Sequence, residues 1–174
     1  MMNSAKSPLA SLLVLVGTVL GDCYAQSSQS NTASAELANP QPFSLSIAAP
    51  RDTLKAGTDV HITITLKNTS PQDLNFLESY GYFPYLLDVR NAVGSVPATT
   101  EKGRRARQNH GMMPPLNSSF VNKVKPGQTQ TADFVLNEYY DMTVPGKYFV
   151  QLERSSPISA GVVKSNRLAI TLTP

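Results

Sequence analysis

The chain has 174 residues, of which 41% are hydrophobic, and it carries a formal net charge of +3. This length accommodates one ordinary domain with appendages, and thirteen prolines without a long helical pattern favour turns and strands. The basic residues are not massed on one face between aromatic residues, so nucleic-acid binding is not expected.

The N-terminal residues have the three-part pattern of a secretory signal peptide. Lys6 supplies a positive charge, residues 9–20 form an apolar run too short to span a membrane comfortably, and Ala25 lies where a signal peptidase would cut. Residues 1–25 are therefore predicted to be removed. The mature protein, starting at Gln26, is expected to be exported, periplasmic or extracellular, with no transmembrane segment.

Cys23 is the only cysteine, and it leaves a lipid anchor as an alternative. A lipoprotein signal would place this cysteine first in the mature chain, behind a small residue. Asp22 precedes it instead, which favours soluble export. A cut after Ala25 would remove the cysteine and leave no disulfide to stabilise the fold.

The rest of the chain has the pattern of short β-strands behind a tether. Residues 26–42 are rich in Ser, Gln, Asn and Ala and are predicted to be a disordered linker. Apolar and polar residues then alternate in runs bounded by turn residues, most clearly at residues 60–66. Strands are predicted at residues 43–47, 58–68, 73–78, 85–90, 120–125, 128–137, 147–153 and 166–173. Residues 43–174 are thus predicted to form an all-β domain, an immunoglobulin-like two-sheet antiparallel sandwich of about seven to eight strands.

A tyrosine follows a Pro-Gly turn near the start of the strand predicted at residues 147–153. In this position Tyr148 resembles the tyrosine corner of immunoglobulin-like sandwiches, in which the hydroxyl bonds back to the preceding connection. The sequence therefore predicts a hydrogen bond from the Tyr148 hydroxyl to the chain just before it.

Three motifs carry a wider resemblance: Ala-Gly-Thr-Asp-Val-His-Ile-Thr-Ile-Thr-Leu-Lys-Asn-Thr, Val-Lys-Pro-Gly-Gln-Thr, and Phe-Val-Leu-Asn-Glu-Tyr-Tyr-Asp-Met-Thr-Val-Pro-Gly-Lys-Tyr-Phe-Val-Gln-Leu. In this order they resemble the immunoglobulin-like domain of exported bacterial proteins. They are also similar to the β-rich domain that precedes the catalytic domain in secreted peptidyl-Lys metalloendopeptidases of the deuterolysin group. Those peptidases then carry a zinc-binding His-Glu-x-x-His helix, which this sequence lacks, so the resemblance implies a fold and no zincin activity.

The sequence contains no familiar catalytic or metal-binding arrangement. His61 and His110 are the only histidines, whereas a structural zinc site usually takes four ligands. There is no Gly-x-Ser-x-Gly elbow and no phosphate-binding glycine loop. Carboxylate pairs such as Glu138 with Asp141 are expected by chance among twelve acidic residues. We therefore expect no enzymatic activity, no cofactor and no metal.

The densest aromatic segment is one candidate recognition surface. Gly81 and Pro84 interrupt any regular element there, which predicts a loop or bulge. Its aromatic residues either cover an open end of the sandwich or form an exposed ligand surface. The candidates are Tyr80, Tyr82, Phe83 and Tyr85.

A basic cluster is the second candidate. Residues 94–119 lack periodicity and are predicted to be an irregular insertion. Its cations either keep a solvated loop soluble or contact an anionic partner, such as a polysaccharide, a lipid headgroup or an acidic protein face. These cations are Lys102, Arg104, Arg105 and Arg107.

The sequence favours an exported, non-enzymatic binding or interaction module that uses one or both of these surfaces. The alternative is a protease inhibitor or a chaperone-like partner of a secreted peptidase. It is suggested by the resemblance to domains that lie beside secreted peptidases and by an insertion long enough to enter a cleft.

Overall fold

The alternating run at residues 60–66 forms most of the middle strand of a three-stranded sheet, which is one of the two main sheets of a β-sandwich. The computed structural model describes residues 41–110, 112 and 116–174, which belong to one compact unit. The strands are β1 Phe43–Ala48, β2 Thr53–Lys55, β3 His61–Asn68, β4 Leu74–Ser79, β5 Leu86–Asn91, β6 Ser119–Val124, β7 Thr129–Val135, β8 Gly146–Ser155, β9 Val162–Lys164 and β10 Leu168–Thr173. One α-helix, α1, spans Glu101–Asn109, and 3-10 turns lie at Leu116–Ser118 and Leu136–Glu138.

The strands form two main sheets. One has the order β1-β3-β7, and the other has the order β2-β10-β8-β5 with β9 also on β8. The orders β1-β3-β7 and β10-β8-β5 correspond to strands A-B-E and G-F-C of an immunoglobulin-like sandwich. All strand pairs are antiparallel except β2 with β10, which is parallel. The predicted all-β sandwich is confirmed.

A third, two-stranded sheet pairs β4 with β6. A short turn around Gly127 connects β6 to β7, yet among the described residues β7 pairs only with β3. The chain therefore separates β6 from β7 and leaves one edge of β7 without a neighbouring strand.

The hydrophobic core lies between the two main sheets. Its fully buried side chains recur at every second residue along the strands, as the period of a β-strand requires. Burial of each such side chain contributes about 1.5–3 kcal/mol relative to exposure. Examples from four strands are Ile62, Val89, Val150, Leu152 and Ile170.

The predicted tyrosine corner is present. Tyr148 is buried at the start of β8, and its hydroxyl donates a hydrogen bond of 2.8 Å to the carbonyl oxygen of Val144. This bond fixes the connection that leads into β8 and confirms the expectation drawn from the Pro-Gly turn.

The structure differs from the sequence-based prediction in three elements. Ten strands are present rather than seven or eight, because the three-residue strands β2 and β9 are too short to show an alternating pattern. The prediction that residues 94–119 are irregular throughout is wrong, since α1 lies within them. The residues of this helix are almost all polar and one of them is glycine, so it lacks the repeat of apolar residues that would indicate a helix.

Several predictions concern residues that the structure does not describe. The signal peptide, Cys23 and residues 26–40 of the tether lie outside the described residues. Among the residues that are described, no helix is long and apolar enough to cross a membrane.

Candidate functional site

The two candidate segments predicted from the sequence lie side by side. The Tyr82 hydroxyl donates to the carbonyl oxygen of Asn109 at 2.7 Å and lies 3.1 Å from that of Met112. The aromatic turn is thus fastened to the C-terminal end of α1. We call Tyr80, Tyr82, Phe83 and helix α1 together the loop–helix surface.

Helix α1 is held in place at its N-terminal half. The Thr100 hydroxyl accepts the Gly103 N–H at 3.0 Å as an N-cap and donates to the carbonyl oxygen of Glu138 at 2.5 Å. Gly103 packs so closely on the backbone that an added Cβ would lie 2.1 Å from the carbonyl oxygen of Tyr139. A glycine at this position is therefore what allows the helix to approach the sandwich.

The four predicted cations of α1 differ in their environments. Lys102 forms an ion pair with Glu138, and Arg105 forms one with Glu101. Arg107 donates to the Tyr140 hydroxyl at 3.1 Å. Two of these cations are therefore paired with carboxylates, and Arg107 has a neutral hydroxyl as its hydrogen-bond partner.

Arg104 is the exception among these cations. Its side chain is exposed, and no hydrogen bond or ion pair joins it to any residue that the structure describes. Of the predicted basic cluster, Arg104 is the cation most available to an anionic partner.

The predicted aromatic residues also separate into different roles. Tyr80 is 83% exposed and its ring lies 5.1 Å from that of Phe120. Phe83 is half-buried, with its ring 4.9 Å from that of Tyr139. Tyr85, a candidate for the recognition surface, is buried, because it precedes β5 directly and continues the inward series of Leu87 and Val89. It is a core residue rather than a contact residue.

A groove of about 610 Å³ runs between α1 and the aromatic turn. The side of α1 contributes three charged side chains, those of Glu101, Lys102 and Arg105, and the opposite side contributes the ring of Tyr82 and the half-buried ring of Phe83. The lining residues from α1 include Lys102, Arg105, Ala106 and Asn109.

A larger cleft, of about 740 Å³, opens beside this groove along β7. Six successive residues, 130–135, line it. Because successive side chains of a strand point to opposite faces, such an unbroken run means that the cleft follows the edge of the strand. We call this space the β7 cleft; it shares Phe83, Lys102 and Tyr139 with the groove.

A buried ion pair forms the wall opposite β7. Arg154 pairs with Glu78, and their side chains are only 6% and 18% exposed. The Arg154 guanidinium also donates to the Tyr85 hydroxyl at 2.8 Å and lies 4.0 Å from the centre of the Phe76 ring. The cation is therefore held by a carboxylate, a hydroxyl and two aromatic faces.

Two amides extend this polar network towards β7. Asn122 donates to Glu78 at 3.2 Å, and it exchanges two hydrogen bonds with Gln130, at 3.0 and 2.9 Å. Sequence analysis missed the network. A signal was present, because Arg154 continues the inward series of Tyr148 and Leu152 on the same strand, and a charged residue in an inward position needs a partner.

Burial and charge shift the titration of the groups around the cleft. Burial raises the pKa of Tyr139, and the nearby Lys102 ammonium opposes this shift. The hydrogen bond to Glu138 raises the pKa of Lys102, while burial lowers it. Burial likewise raises the pKa of Tyr85. The tyrosines therefore stay neutral and Lys102 stays charged at neutral pH.

The described residues contain no group of three or more His, Cys, Asp or Glu side chains placed to hold a metal ion. The wall of the β7 cleft instead offers hydrogen-bonding amides and paired charges.

Comparison with known proteins adds little to this description. No protein-family model matches the chain, and no curated protein matches it. Among solved structures, a β-glucosidase from Erythrobacter marinus is similar with a TM-score of 0.41 and 16% sequence identity. The match covers 75% of this chain and 15% of the glucosidase chain, so this chain spans a small part of that enzyme. A TM-score of this size supports no statement about activity.

Proposed function

We propose that this protein is an exported, non-enzymatic binding module that recognises its partner with the loop–helix surface. The hydrogen bond from the Tyr82 hydroxyl to the Asn109 carbonyl, at the C-terminal end of α1, carries the proposal. It joins two segments that add little to the core and makes one surface of them. The signal-peptide pattern of residues 1–25 supports export.

The chemistry of this surface suits an anionic partner, such as a polysaccharide or an acidic protein face. Tyr80 offers an exposed amphipathic ring, and Arg104 offers an exposed guanidinium that has no ion-pair partner among the residues that the structure describes. Tyrosine and arginine are the side chains that interfaces favour, because each combines contact area with directed hydrogen bonds.

Retention on a heparin column tests this proposal. Replacing both Arg104 and Tyr80 with Ala should lower the salt concentration at which the protein elutes, because the variant lacks an exposed cation and an exposed ring of the loop–helix surface. The matched control is Arg51→Ala, which removes an exposed arginine on the β1–β2 connection and should lower retention less. Equal retention of wild type and double variant, or retention that salt does not affect, would remove the loop–helix surface from the proposal.

The alternative, a protease inhibitor or chaperone-like partner of a secreted peptidase, gains support from one observation only. The unpaired edge of β7 could receive an extended segment, as a chaperone-like protein requires. An inhibitory role for the basic cluster has no such support, because Arg104 and Arg105 lie within a helix. Rapid cleavage at these two arginines by trypsin, with the sandwich intact, would count against inhibition.

A further inference from the structure

The hydrogen-bonding direction of each residue in β7 follows from its register with β3. The N–H of Leu136 donates to the carbonyl oxygen of Val60 at 2.9 Å, and the N–H of Asn68 donates to that of Gln128 at 3.0 Å. In an antiparallel pair, hydrogen-bonded and non-hydrogen-bonded positions alternate. The even-numbered residues of β7 therefore direct their backbone groups at β3, and the odd-numbered ones direct theirs away from it.

Three odd-numbered residues of β7 line the cleft. The N–H and C=O groups of Thr131 and Asp133 and the N–H of Val135 point into it, and none of these groups bonds to another backbone group among the described residues. The C=O of Val135 is the N-cap carbonyl of the 3-10 turn at Leu136–Glu138. These groups extend over about 13 Å of strand edge. Unpaired edges of this kind accept a further strand readily.

The space beside this edge is one that an immunoglobulin-like sandwich normally fills. In that fold the strand preceding E lies next to E in the same sheet. Here the preceding strand, β6, pairs with β4 instead, and hydrogen bonds between the side chains of Asn122 and Gln130 link β6 to β7. The cleft of about 740 Å³ occupies the position of the missing neighbour.

The walls of the cleft determine which side chains an added strand would carry. Ile64, Leu66 and Phe134 line it from the main sheets, and Phe83 lines it from the aromatic turn. An added strand turns every second side chain towards these apolar groups. Its segment therefore needs apolar residues at alternate positions.

The charges of the cleft determine what the other side chains should be. Its two cations are already paired, Lys102 with Glu138 and Arg154 with Glu78. The carboxylate of Asp133 accepts a hydrogen bond of 2.6 Å from Thr63 and pairs with no cation among the described residues. A basic side chain on the added strand would compensate this charge.

Two other occupants fit less well. Residues 26–40 contain no Lys or Arg, so they cannot compensate Asp133. A second copy that paired its β7 symmetrically about the middle of the edge would set Asp133 opposite its own copy, and like charges in that position are destabilising.

We propose that the free edge of β7 binds an extended polypeptide segment of a partner as an additional strand, with alternating apolar residues and a basic residue beside Asp133. This goes beyond the proposed function, because the groups that pair with the partner belong to β7, whereas Phe83 and Lys102 of the loop–helix surface only line the cleft. Backbone hydrogen bonds from Thr131, Asp133 and Val135 supply the pairing, and the apolar walls and Asp133 supply the selectivity.

A phage-displayed library of random twelve-residue peptides is the probe for this site. Peptides enriched on the wild-type protein should alternate apolar residues and carry a Lys or Arg. The most enriched peptide is then synthesised, and its affinity is measured by fluorescence polarisation. Thr131→Pro should weaken binding by about tenfold or more, because it removes one edge N–H and obstructs the pairing.

The matched control is Thr129→Pro on the same strand, whose N–H also points away from β3 but which does not line the cleft. This variant should bind the peptide as the wild type does. Failure to enrich any peptide, or equal binding by the Thr131→Pro and Thr129→Pro variants, would overturn the proposal.

Amide hydrogen exchange on the wild-type protein keeps the test decisive if Thr131→Pro does not fold. Saturation with the peptide should slow exchange at Thr131, Asp133 and Val135 and leave Ala132 unchanged. Binding without this alternating protection would contradict the proposal. So would equal protection by a synthetic peptide of residues 26–40, or formation of a dimer through β7.

The same peptide separates this proposal from the proposed function. Arg104→Ala should weaken heparin retention and leave peptide affinity unchanged, whereas Thr131→Pro should do the reverse. Peptide binding that survives the loss of heparin binding would retain the β7 proposal alone, and the opposite pattern would retain only the loop–helix surface.

Discussion

The closed core between the two main sheets and the open edge at β7 differ in how completely their inward-pointing side chains are covered. Towards β8 and β10 the inward residues are fully buried, as Ile62 and Ile170 are. Towards the free edge of β7, Ala132 has the same inward orientation as its β3 partner Ile64, yet it is exposed. The difference teaches that alternation determines which way a side chain points, whereas burial depends on whether another element covers it.

The largest expected effect distinguishes these two environments directly. Ile62→Asp places an unpaired charge in the closed core and should lower the free energy of unfolding by about 4 kcal/mol or more. Ala132→Asp introduces the same side chain into the open cleft and should cost less than about 1 kcal/mol. Urea denaturation of both variants measures the contrast. Equal destabilisation would mean that the β7 cleft is closed in solution.

The buried ion pair at the wall of the cleft should give the next largest effect. Arg154→Met leaves the Glu78 carboxylate buried without its cation, so it should cost about 3 kcal/mol. The double variant Arg154→Met with Glu78→Met removes both charges and should recover most of that loss. Equilibrium denaturation of the two variants checks this. A double variant that is less stable than Arg154→Met would contradict the role given to the pair.

The packing of α1 on the sandwich should contribute less to stability than the core does, and one methyl group added at Gly103 should disturb it. Gly103→Ala raises intrinsic helix propensity, but its Cβ would collide with the Tyr139 carbonyl, so we expect a net loss of about 1–2 kcal/mol. The control is Gly161→Ala, whose Cβ would meet its nearest neighbour at an ordinary 3.5 Å. Thermal unfolding compares them. A Gly103→Ala variant as stable as its control would show that α1 is not docked through this glycine.

The smallest effect concerns acid stability at the corner before β8. Hydrogen bonds from the Thr143 hydroxyl and N–H, at 2.6 and 3.0 Å, lower the pKa of Asp141. A carboxyl that is more acidic in the folded state stabilises it above its unfolded pKa, and this contribution is lost as the pH falls through the folded pKa. Asp141→Asn should therefore lose less stability than the wild type on acidification below about pH 4. Urea denaturation of both proteins at neutral pH and below about pH 4 measures this. An equal loss of stability in the wild type and the variant would contradict it.

The strands that enclose the hydrophobic core were largely predictable from the sequence. Strands such as β1, β3, β8 and β10 bury one face, so their period of two appears directly in the residue pattern. The tyrosine corner followed from a Pro-Gly turn for the same local reason. Interactions between residues close in sequence are those that a pattern can reveal.

The candidate site was predictable only in part, because long-range contacts create it. The aromatic turn and the basic segment were each named, but their contact through Tyr82 and Asn109 joins residues 27 positions apart. Arg154 and Glu78 are 76 positions apart, and neither local sequence indicates the other. The free edge of β7 depends on β6 pairing elsewhere, which no property of residues 129–135 can indicate.

The open edge of β7 is the central claim, and amide hydrogen exchange of the free protein tests it most directly. Thr131, Asp133 and Val135 should exchange about tenfold or more faster than Ala132 and Phe134, because only the latter two donate to β3. Alternation of fast and slow exchange along the strand would support the account. Uniform slow exchange across residues 130–135 would contradict it, since it would mean that this edge already has a partner strand.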